Sequence, residues 1–454
     1  MKSKDKNNID NTQTTLNLFS IQNKPIELSY TGEKISSDGG LLLLKETENQ
    51  INIIKKFSDC IEDQRDHRYI DHTIESLVSQ RVYQIASGYQ DANDCNLLRK
   101  DAIIKVCSVQ LPETGLDLGS QPTMSRFKNS TRRSELYQIA KMFVLNFITS
   151  YESEPPVIII DPDDTNHTAY GKQLQIEFNN YYGDYVFMPL HIYEGFSGKL
   201  ITTILKPGRS SKNVDVFAVL KRIIELLRKS WKNTVIVVRG DSHFHCPELT
   251  SYSKKDGKII TITGLAGNSR LNKLSEVTVQ SAKKKYERTK EPVKMYHTFA
   301  YKAQGWEEEE RVIVKVEVTQ MGTNIRYIAT NNWEYRTRQM YEMGYCARGA
   351  MELRIKDHKT YLKSDRSSCN QFEANQLRLF LHSVAYVLIH TLQKEVLKGT
   401  EFANATMQTI QLKLIKTAAR VKQLKTKLKI EFPRTCPARE IQTRSFDIFE
   451  VLRC

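Results

Sequence analysis

Long apolar runs are missing from this sequence. No stretch approaches the roughly 20 apolar residues that a membrane-spanning helix requires, so the sequence predicts no membrane partner. The polar start, MKSKDKNNIDNTQTT, has no apolar segment of the kind that a signal peptide contains. We expect residues 1–30 to be mobile at their start and the protein to be cytoplasmic.

Paired cysteines are missing too. The eight cysteines are scattered, and none of them forms a C-x-x-C pair. This pattern argues against a disulfide scaffold and a structural zinc site, and it favours a reduced compartment. His243, His245 and Cys246 lie close together in the sequence, but no second cluster completes a tetrahedral set of metal ligands. We expect no metal at these three residues.

Acidic residues are in short supply. The 454 residues include 52 Asp and Glu against 67 Lys and Arg, which gives a net charge of +15. The excess favours a polyanionic partner, with nucleic acid first and a membrane surface second, although a soluble protein can also be merely basic. A chain of this length is expected to form two or three domains.

The chain does contain many helical patterns. Apolar residues recur at helical spacing over much of residues 1–150, most clearly in 73–88 and 132–150, so this region is predicted to be mostly helical. Ser120 and Pro122 predict the start of a further short helix. Its exposed polar side chains would suit the major groove of DNA, although a well-capped surface helix has the same composition. These side chains are Thr123, Ser125, Arg126 and Lys128.

The pattern changes after Pro155. Residues 157–161, VIIID, and residues 234–241, TVIVVRGD, are β-branched runs that predict buried strands, and each ends in an aspartate. Residues 185–208 predict a hairpin, and residues 213–230 predict an amphipathic helix. The segment from Pro247 predicts a short helix, and residues 258–264 predict a strand. This order predicts an α/β fold with a mixed sheet. Because sites in open α/β sheets lie beyond the carboxyl ends of strands, Asp161 and Asp241 are candidate metal ligands.

Residues 265–340 interrupt this plan. Their alternating segments, with a turn at Met321, predict a β-rich insertion. A long helix is predicted over residues 371–395. A final basic helix is predicted over about residues 403–430, within a basic helical C-terminal region of residues 396–454.

One stretch after the insertion is polar on a single face. At about 100° per residue, four side chains of YCARGAMELRIKDHK fall within roughly 60° of one another on a helical wheel. They are Tyr345, Arg348, Glu352 and Lys359. With the two aspartates, the glutamate completes three carboxylates, which is what two magnesium ions need to cut a phosphodiester while the cations hold phosphates. The alternative is that the aspartates cap loops and Glu352 pairs with Arg348 or Lys356.

The spacing Tyr345-x2-Arg348-x3-Glu352-x6-Lys359 resembles the Tyr–Arg–Glu–Lys signature of DDE transposases from bacterial insertion sequences. Four further segments resemble one subgroup of that family, whose members have a β-rich insertion before the catalytic glutamate. These segments are SSDGGLLLL, SQPTMSRFKN, VRGDSHF and DRSSC.

The resemblance implies a domain plan and a reaction. It implies a ribonuclease-H-like catalytic domain in residues 151–264 and 341–395, after a DNA-binding region in residues 1–150. The implied reaction cleaves double-stranded DNA at the terminal inverted repeats of a mobile element and joins the ends to target DNA. Pairing two ends implies a homodimer associated with the nucleoid. The alternatives are a nuclease of the same fold and a non-catalytic DNA-binding protein of transposase origin.

The resemblance also assigns the metal site. It implies that Asp161, Asp241 and Glu352 bind two magnesium ions, for which manganese can substitute. Asp163 and Asp164 compete with Asp161, which is preferred because it directly follows the apolar strand.

Further residues would hold DNA. Tyr345, Arg348 and Lys359 would support the glutamate and grip DNA near the cut end, and Arg126 and Lys128 would contact DNA from the short helix. An aromatic residue of the insertion could hold a flipped base, although core packing is the favoured role for both candidates, Trp306 and Trp333.

Overall fold

The computed structural model describes residues 16–29, 33–208 and 214–453. The N-terminal segment that is predicted to be mobile lies largely outside these ranges, since residues 1–15 are not described. The chain forms a mixed α/β structure around one large sheet, as the order of strands and helices predicted.

The strands are β1 (Leu16–Ile21), β2 (Lys24–Leu28), β3 (Ile35–Ser36), β4 (Val157–Asp164), β5 (His167–Thr168), β6 (Glu177–Asn179), β7 (Asp184–Phe187), β8 (Leu190–Glu194), β9 (Leu200–Ile204), β10 (Val235–Gly240), β11 (Ile259–Leu265), β12 (Val293–Tyr301), β13 (Glu310–Thr319), β14 (Gly322–Thr330), β15 (Ala419–Gln423) and β16 (Leu428–Glu431). The α-helices are α1 (Leu41–Ile51), α2 (Ile53–Ser58), α3 (Ile74–Ala86), α4 (Asp94–Leu98), α5 (Ala102–Cys107), α6 (Gln121–Ser130), α7 (Arg133–Thr149), α8 (Val214–Ser230), α9 (Pro247–Asp256), α10 (Ser269–Thr289), α11 (Thr337–Gln339), α12 (Ala350–Lys356), α13 (Phe372–Thr391), α14 (Met407–Ile410) and α15 (Arg439–Arg453).

The large sheet has eight strands in the order β12-β13-β14-β11-β10-β4-β8-β9. β10 is parallel to both of its neighbours, β4 and β11, and the other pairings are antiparallel. The two predicted buried strands are confirmed as β4 and β10, and the predicted hairpin as β8 and β9. Because β4 and β10 are parallel neighbours, their carboxyl ends meet at the same edge of the sheet.

Residues 265–340 are β-rich, as predicted, but they do not form a separate sheet. β14 pairs with β11, so β12, β13 and β14 extend the large sheet. The unpredicted helix α10 packs on these strands through Leu271, Val279 and Ala282. Its buried face is narrow and its composition strongly charged, and the apolar periodicity is therefore weak.

The two faces of the sheet are covered by different helices. Ile158 and Ile160 of β4 point to one face, where α8 and α9 pack. On the other face, Val237 and Ile262 lie near Met340 of the segment that leads into the polar stretch. Side chains alternate along a strand, so Asp161 and Asp163 share the second face.

The N-terminal helices and the C-terminal region share one core. α13 is buried along most of its length and contacts α1, α3, α6 and α7. Leu43 of α1 and Val82 of α3 belong to the same apolar cluster as Ile415 and Phe449 near the other end of the chain. The helices between residues 41 and 149 and the described part of residues 396–453 are thus packed around a common centre.

The prediction of a basic helix over about residues 403–430 is wrong. α14 is followed by a π-helical turn at Gln411–Ile415 and then by the antiparallel strands β15 and β16. In β15 the buried side chains alternate with less buried ones, as in Ala419 and Val421. The spacing of the lysines suggested a helix, but strand pairing determines the structure here.

The other predicted helices are confirmed. The patterns at 73–88, 132–150 and 371–395 form α3, α7 and α13, and α6 begins after Ser120 with Pro122 in its first turn. Among the described residues no helix is both long and apolar enough to span a membrane.

Candidate active site

Asp163 and Asp241 lie beside each other at the carboxyl edge of the sheet. The parallel register aligns Val235 of β10 with Val157 of β4, and Val238 with Ile160. Continuing this register sets Asp241 beside Asp163, whereas Arg239 falls beside Asp161. The aspartate that directly follows the apolar run is therefore not the one opposite Asp241.

Asp161 is buried in an ion pair. Arg239 donates from Nε to Oδ1 at 2.7 Å and from Nη2 to Oδ2 at 2.5 Å. Nη1 of Arg239 also donates to the carbonyl of Gly344 at 2.9 Å, which ties both strands to the segment before Tyr345. Gly195 leaves room for the pair, since a Cβ there would lie 2.8 Å from Oδ2 of Asp161. The predicted ligand Asp161 thus has both oxygens engaged by a guanidinium.

Arg348 lies between Asp163 and Asp241. Its Nη2 lies 2.8 Å from Oδ1 of Asp163 and 3.9 Å from Oδ2 of Asp241. The Arg348 and Asp163 side chains are mostly buried, while that of Asp241 is 34% exposed. A residue of the polar stretch therefore reaches the ends of two separate strands. The sequence predicted that Arg348 holds phosphates, and its contacts with these aspartates were not predicted.

Asp163, Asp164 and Asp241 form what we call the acidic cluster, in which the carboxylates repel one another. Burial, opposed by Arg348 and reinforced by the charges of Asp241 and Asp164, raises the pKa of Asp163 to about 6. Asp164 is turned to Lys206, whose Nζ donates to it at 2.7 Å. Neighbouring carboxylates that raise one another's pKa favour a bound cation.

The polar stretch is helical but not uniformly so. A π-helical turn at Met340–Tyr345 passes into a 3₁₀ turn at Cys346–Gly349, then into α12 and a second π-helical turn at Asp357–Tyr361. Irregular turns of this kind are frequent at functional sites. Because the angle per residue varies, a wheel drawn at constant steps places these side chains only roughly.

Tyr345 lies near Gly264, which is also close to the backbone of Asp241. A Cβ on Gly264 would be 2.9 Å from Oη of Tyr345 and 3.2 Å from the carbonyl carbon of Asp241. Burial and the charge of Asp241 raise the pKa of Tyr345, and Arg348 opposes them. The phenol is thus a neutral donor beside the acidic cluster.

Lys359 and Glu352 differ in their contacts. Nζ of Lys359 donates to Oγ1 of Thr165 at 3.0 Å and to Oδ1 of Asn166 at 2.8 Å, just after β4. Glu352 is exposed and has no hydrogen-bond or ion-pair partner in the part of the chain that the structure describes. The structure therefore brings Asp163, Asp241 and Arg348 together with Tyr345 nearby, and Glu352 forms no hydrogen bond or ion pair with these described residues.

The donors fit a hard divalent cation in kind. Carboxylate oxygens are the ligands that magnesium prefers, and Asp163 and Asp241 present them side by side. Within residues 16–29, 33–208 and 214–453, no three His, Cys, Asp or Glu side chains are arranged to hold a metal. The described residues thus provide two carboxylates of a candidate metal site.

The short helix α6 presents one of its two predicted cations. Arg126 is exposed and donates to Oγ1 of Thr123 at 3.3 Å. Lys128, predicted to be exposed, is only 4% exposed, and burial lowers its pKa in a setting that includes Cys369 and Arg378. The predicted exposure of Lys128 is wrong, because this side of α6 packs on α13.

The two tryptophans of the extended sheet have different settings. Trp306 packs against His245 and Tyr301, with ring centroids 4.7 and 5.5 Å away, which is the core role favoured for it. Trp333 is 54% exposed and does not share that packing.

The two histidines near Asp241 have different surroundings. His243 is exposed, with Nδ1 3.6 Å from Oδ2 of Asp241. His245 is partly buried, with Nδ1 2.8 Å from Oγ1 of Thr263, and Cys246 is buried. Among the described residues, these side chains do not form a group of three potential metal ligands.

Sequence reasoning missed the partners of the aspartates. Aligning VIIIDPD with VIVVRGD from their first residues places Asp163 opposite Asp241, and this count was available from the sequence. The pairing of Arg239 with Asp161 follows from the same alignment. Lys206 gave no signal, because it follows β9, which pairs with β8 and not directly with β4.

The chain is similar to known proteins in sequence and in structure. The family model described as transposase DDE domain group 1 matches residues 19–454. No curated protein matches the sequence. Among solved structures, the cryo-EM structure of the piggyBac transposase synaptic complex with hairpin DNA is similar with a TM-score of 0.45 and 12% identity, over 85% of this chain and 83% of that chain.

Proposed function

The chain belongs to the family of transposase DDE domains of group 1, and from that premise we propose that it is a transposase of a bacterial insertion sequence. It binds the terminal inverted repeats, cleaves the DNA ends and joins them to target DNA. The observation that carries the proposal is Arg348, which reaches Asp163 and Asp241 at the ends of adjacent parallel strands. The +15 net charge supports a DNA partner.

The catalytic core is ribonuclease-H-like in this proposal. In chain order, β4, β8 and β9 form an antiparallel set, and β10 and β11 are added in parallel on the other side of β4. This arrangement supports the core implied by the Tyr–Arg–Glu–Lys resemblance. The DNA-binding region includes α6, with Arg126 as its exposed cation.

Asp163, Asp241 and Glu352 are the proposed metal-binding triad, with Asp163 in place of Asp161. Asp163 lies opposite Asp241 in the register and shares its guanidinium, while Asp161 is buried against Arg239. Two magnesium ions, or manganese in their place, would activate the attacking oxygen and stabilise the leaving oxygen of the phosphodiester. Asp163 and Asp241 would hold them, and Glu352 would supply the third carboxylate.

The remaining polar side chains position DNA. Arg348 is the cation between the carboxylates, and its planar guanidinium can hold a phosphate through two donors. Tyr345 donates to a neighbouring phosphate or braces Arg348. Lys359 fixes the chain just after β4 through Thr165 and Asn166, which keeps the end of that strand in place.

The chain acts as a homodimer in this proposal, because joining two ends of an element requires that both ends be held together. The matching experiment mixes the purified protein with two labelled end duplexes. A complex that contains two protein chains and both labels is expected; a one-chain complex with both labels would contradict the dimer.

The reaction is tested with a labelled duplex that carries the element's own terminal repeat. Asp241→Ala and Glu352→Ala are expected to abolish magnesium-dependent cleavage while end binding survives. Cleavage by either variant at the wild-type rate would show that the triad is assigned wrongly. A strand-transfer assay with pre-cut ends distinguishes a transposase from a nuclease that only cleaves.

A further inference from the structure

A small sheet projects beside the acidic cluster. β5, β7 and β6 form a three-stranded sheet within residues 167–187, which we call the aromatic flap. Its base is buried, since Ala169 and Phe187 pack with Leu205 and Leu379. The base therefore anchors the flap near β9 and α13, and Gln173 ties a further part of the flap to the body through Ser367 and Asn375.

The outer part of the aromatic flap carries exposed rings. These are Tyr170 at 77%, Phe178 at 41%, Tyr181 at 88%, Tyr182 at 38% and Tyr185 at 53% exposure. Phe178 and Tyr185 face each other across β6 and β7, with ring centroids 5.5 Å apart, and Tyr181 and Tyr182 are 4.9 Å apart. Aromatic side chains usually contribute to cores and interfaces, so five exposed rings in one small sheet call for a ligand.

The tip of the flap is held in place. Oδ1 of Asn179 accepts from the backbone N–H of Tyr181 at 3.0 Å, and its Nδ2 donates to the carbonyl of Gly208 at 3.0 Å. This side chain fastens the turn with the two most prominent tyrosines to the body of the protein. The rings are presented on a fixed support.

Both ends of the flap lie beside the acidic cluster. Asp164 pairs with Leu190, and the backbone N–H of Thr165 donates to the carbonyl of Pro189 at 3.2 Å. Burial first, and then the charges of neighbouring tyrosine and aspartate side chains, raise the pKa of Tyr182, which agrees with this placement. The flap also follows β4 directly, at the point where Lys359 holds Thr165 and Asn166. Lys172 is exposed on the same flap and adds a positive charge to it.

We propose that the aromatic flap is a stacking platform for unpaired nucleotides of the DNA end held at the acidic cluster. The inference rests on the proposed function, because it takes the cluster as the place where a phosphodiester is cut. Bases next to that bond would lie within reach of Tyr181 and Tyr182. Stacking on aromatic rings accepts any base, since every base has a flat π face.

The test uses the full chain in EDTA, so that no DNA is cut. The probes are a duplex with a four-nucleotide single-stranded overhang that contains 2-aminopurine, and the same duplex with blunt ends. Wild type is expected to quench the 2-aminopurine fluorescence and to bind the overhang duplex more tightly than the blunt one. The double variant Tyr181→Ala, Tyr182→Ala is expected to lose the quenching and to weaken overhang binding roughly tenfold, with blunt binding unchanged.

Matched variants separate stacking from other roles. Tyr181→Phe with Tyr182→Phe keeps the rings and is expected to quench like wild type. Tyr137→Ala removes a tyrosine of 52% exposure from α7 and is expected to change nothing. Circular dichroism checks that each variant is folded.

The outcomes also separate this inference from the proposed function. Equal overhang binding and quenching by wild type and the double alanine variant would overturn the platform and leave the proposed function standing. A change of the oligomeric state in the alanine variant with unchanged quenching would make the flap a protein interface, which also overturns the platform. If wild type binds neither duplex, nor a duplex with the element's own terminal repeat, the proposed function fails as well.

Discussion

Two aspartates on one face of β4 have different surroundings. Asp161 meets Arg239, which is buried and also holds Gly344, while Asp163 meets Asp241 and Arg348. The sequence predicted that strand ends carry the site, and this followed from β-branched runs ending in acids. It did not predict which acid, because preferring the first acid after the run ignored the register between β4 and β10.

The first prediction separates these two aspartates by stability. Asp161→Asn removes the charge that balances a buried guanidinium, so it is expected to cost about 3 kcal/mol of unfolding free energy. Asp163→Asn is expected to cost less than about 1 kcal/mol, because Arg348 keeps Asp241 as a second acidic neighbour and the repulsion between Asp163 and Asp241 is relieved. Burial raises the pKa of both Asp161 and Asp163, so their neighbours and not their pKa values separate the two variants. Urea unfolding at pH 7.5 measures both. An equal loss for the two variants would contradict the distinct roles.

At the scale of elements, the polar stretch works through irregular turns. The π-helical and 3₁₀ turns bring Tyr345 under Gly264 and direct Arg348 at the aspartates. The sequence predicted a helix with one polar face, since the spacing of four charged or phenolic residues carries that information. The spacing of these residues did not predict the irregular turns. The strands β15 and β16 were not predicted either, because their lysines are spaced as in a helix.

The second prediction concerns the contact between the polar stretch and β11. Gly264→Ala would put a Cβ 2.8 Å from the backbone N of Ser242 and 2.9 Å from Oη of Tyr345, so Tyr345 must move. We expect DNA cleavage at least about tenfold slower, with a stability loss of about 1–3 kcal/mol. Single-turnover cleavage of the end duplex measures the first quantity and urea unfolding the second.

Gly349→Ala is the matched control for this change. Gly349 lies in the same stretch with helical backbone angles, and a Cβ there meets nothing within 4 Å. Its cleavage rate is expected to equal that of wild type. A Gly264→Ala variant that cleaves as fast as Gly349→Ala would show that the position of Tyr345 does not matter.

At the scale of the whole molecule, the two ends of the chain stabilise each other. The N-terminal helices, α13 and the C-terminal α15 line one core, and Lys416 pairs with buried Asp38 at 3.0 Å. The sequence predicted a helical N-terminal region and an α/β centre, because local periodicity shows both. It could not show that residues 396–454 close the N-terminal core, since contacts between distant segments leave no local pattern.

The third prediction tests this closure. Phe449 of α15 is 1% exposed, and Phe449→Ala is expected to cost about 3–5 kcal/mol. Leu452→Ala, at a residue 54% exposed on the same helix, is the control and is expected to cost less than about 0.5 kcal/mol. Limited proteolysis followed by mass spectrometry is expected to show faster cutting in α1 and α3 for Phe449→Ala alone. Protection of these helices in that variant would contradict a shared core.

The most direct test of the account asks which residue at the end of β4 binds the metal. Asp163→Cys is expected to lose cleavage of the end duplex in Mg²⁺ and to regain part of it in Mn²⁺, which accepts a sulfur ligand more readily than Mg²⁺ does. Asp161→Cys is expected to show no such recovery, because the side chain at this position faces the guanidinium of Arg239. Recovery in Mn²⁺ by Asp161→Cys, or wild-type cleavage in Mg²⁺ by Asp163→Cys, would contradict the assignment.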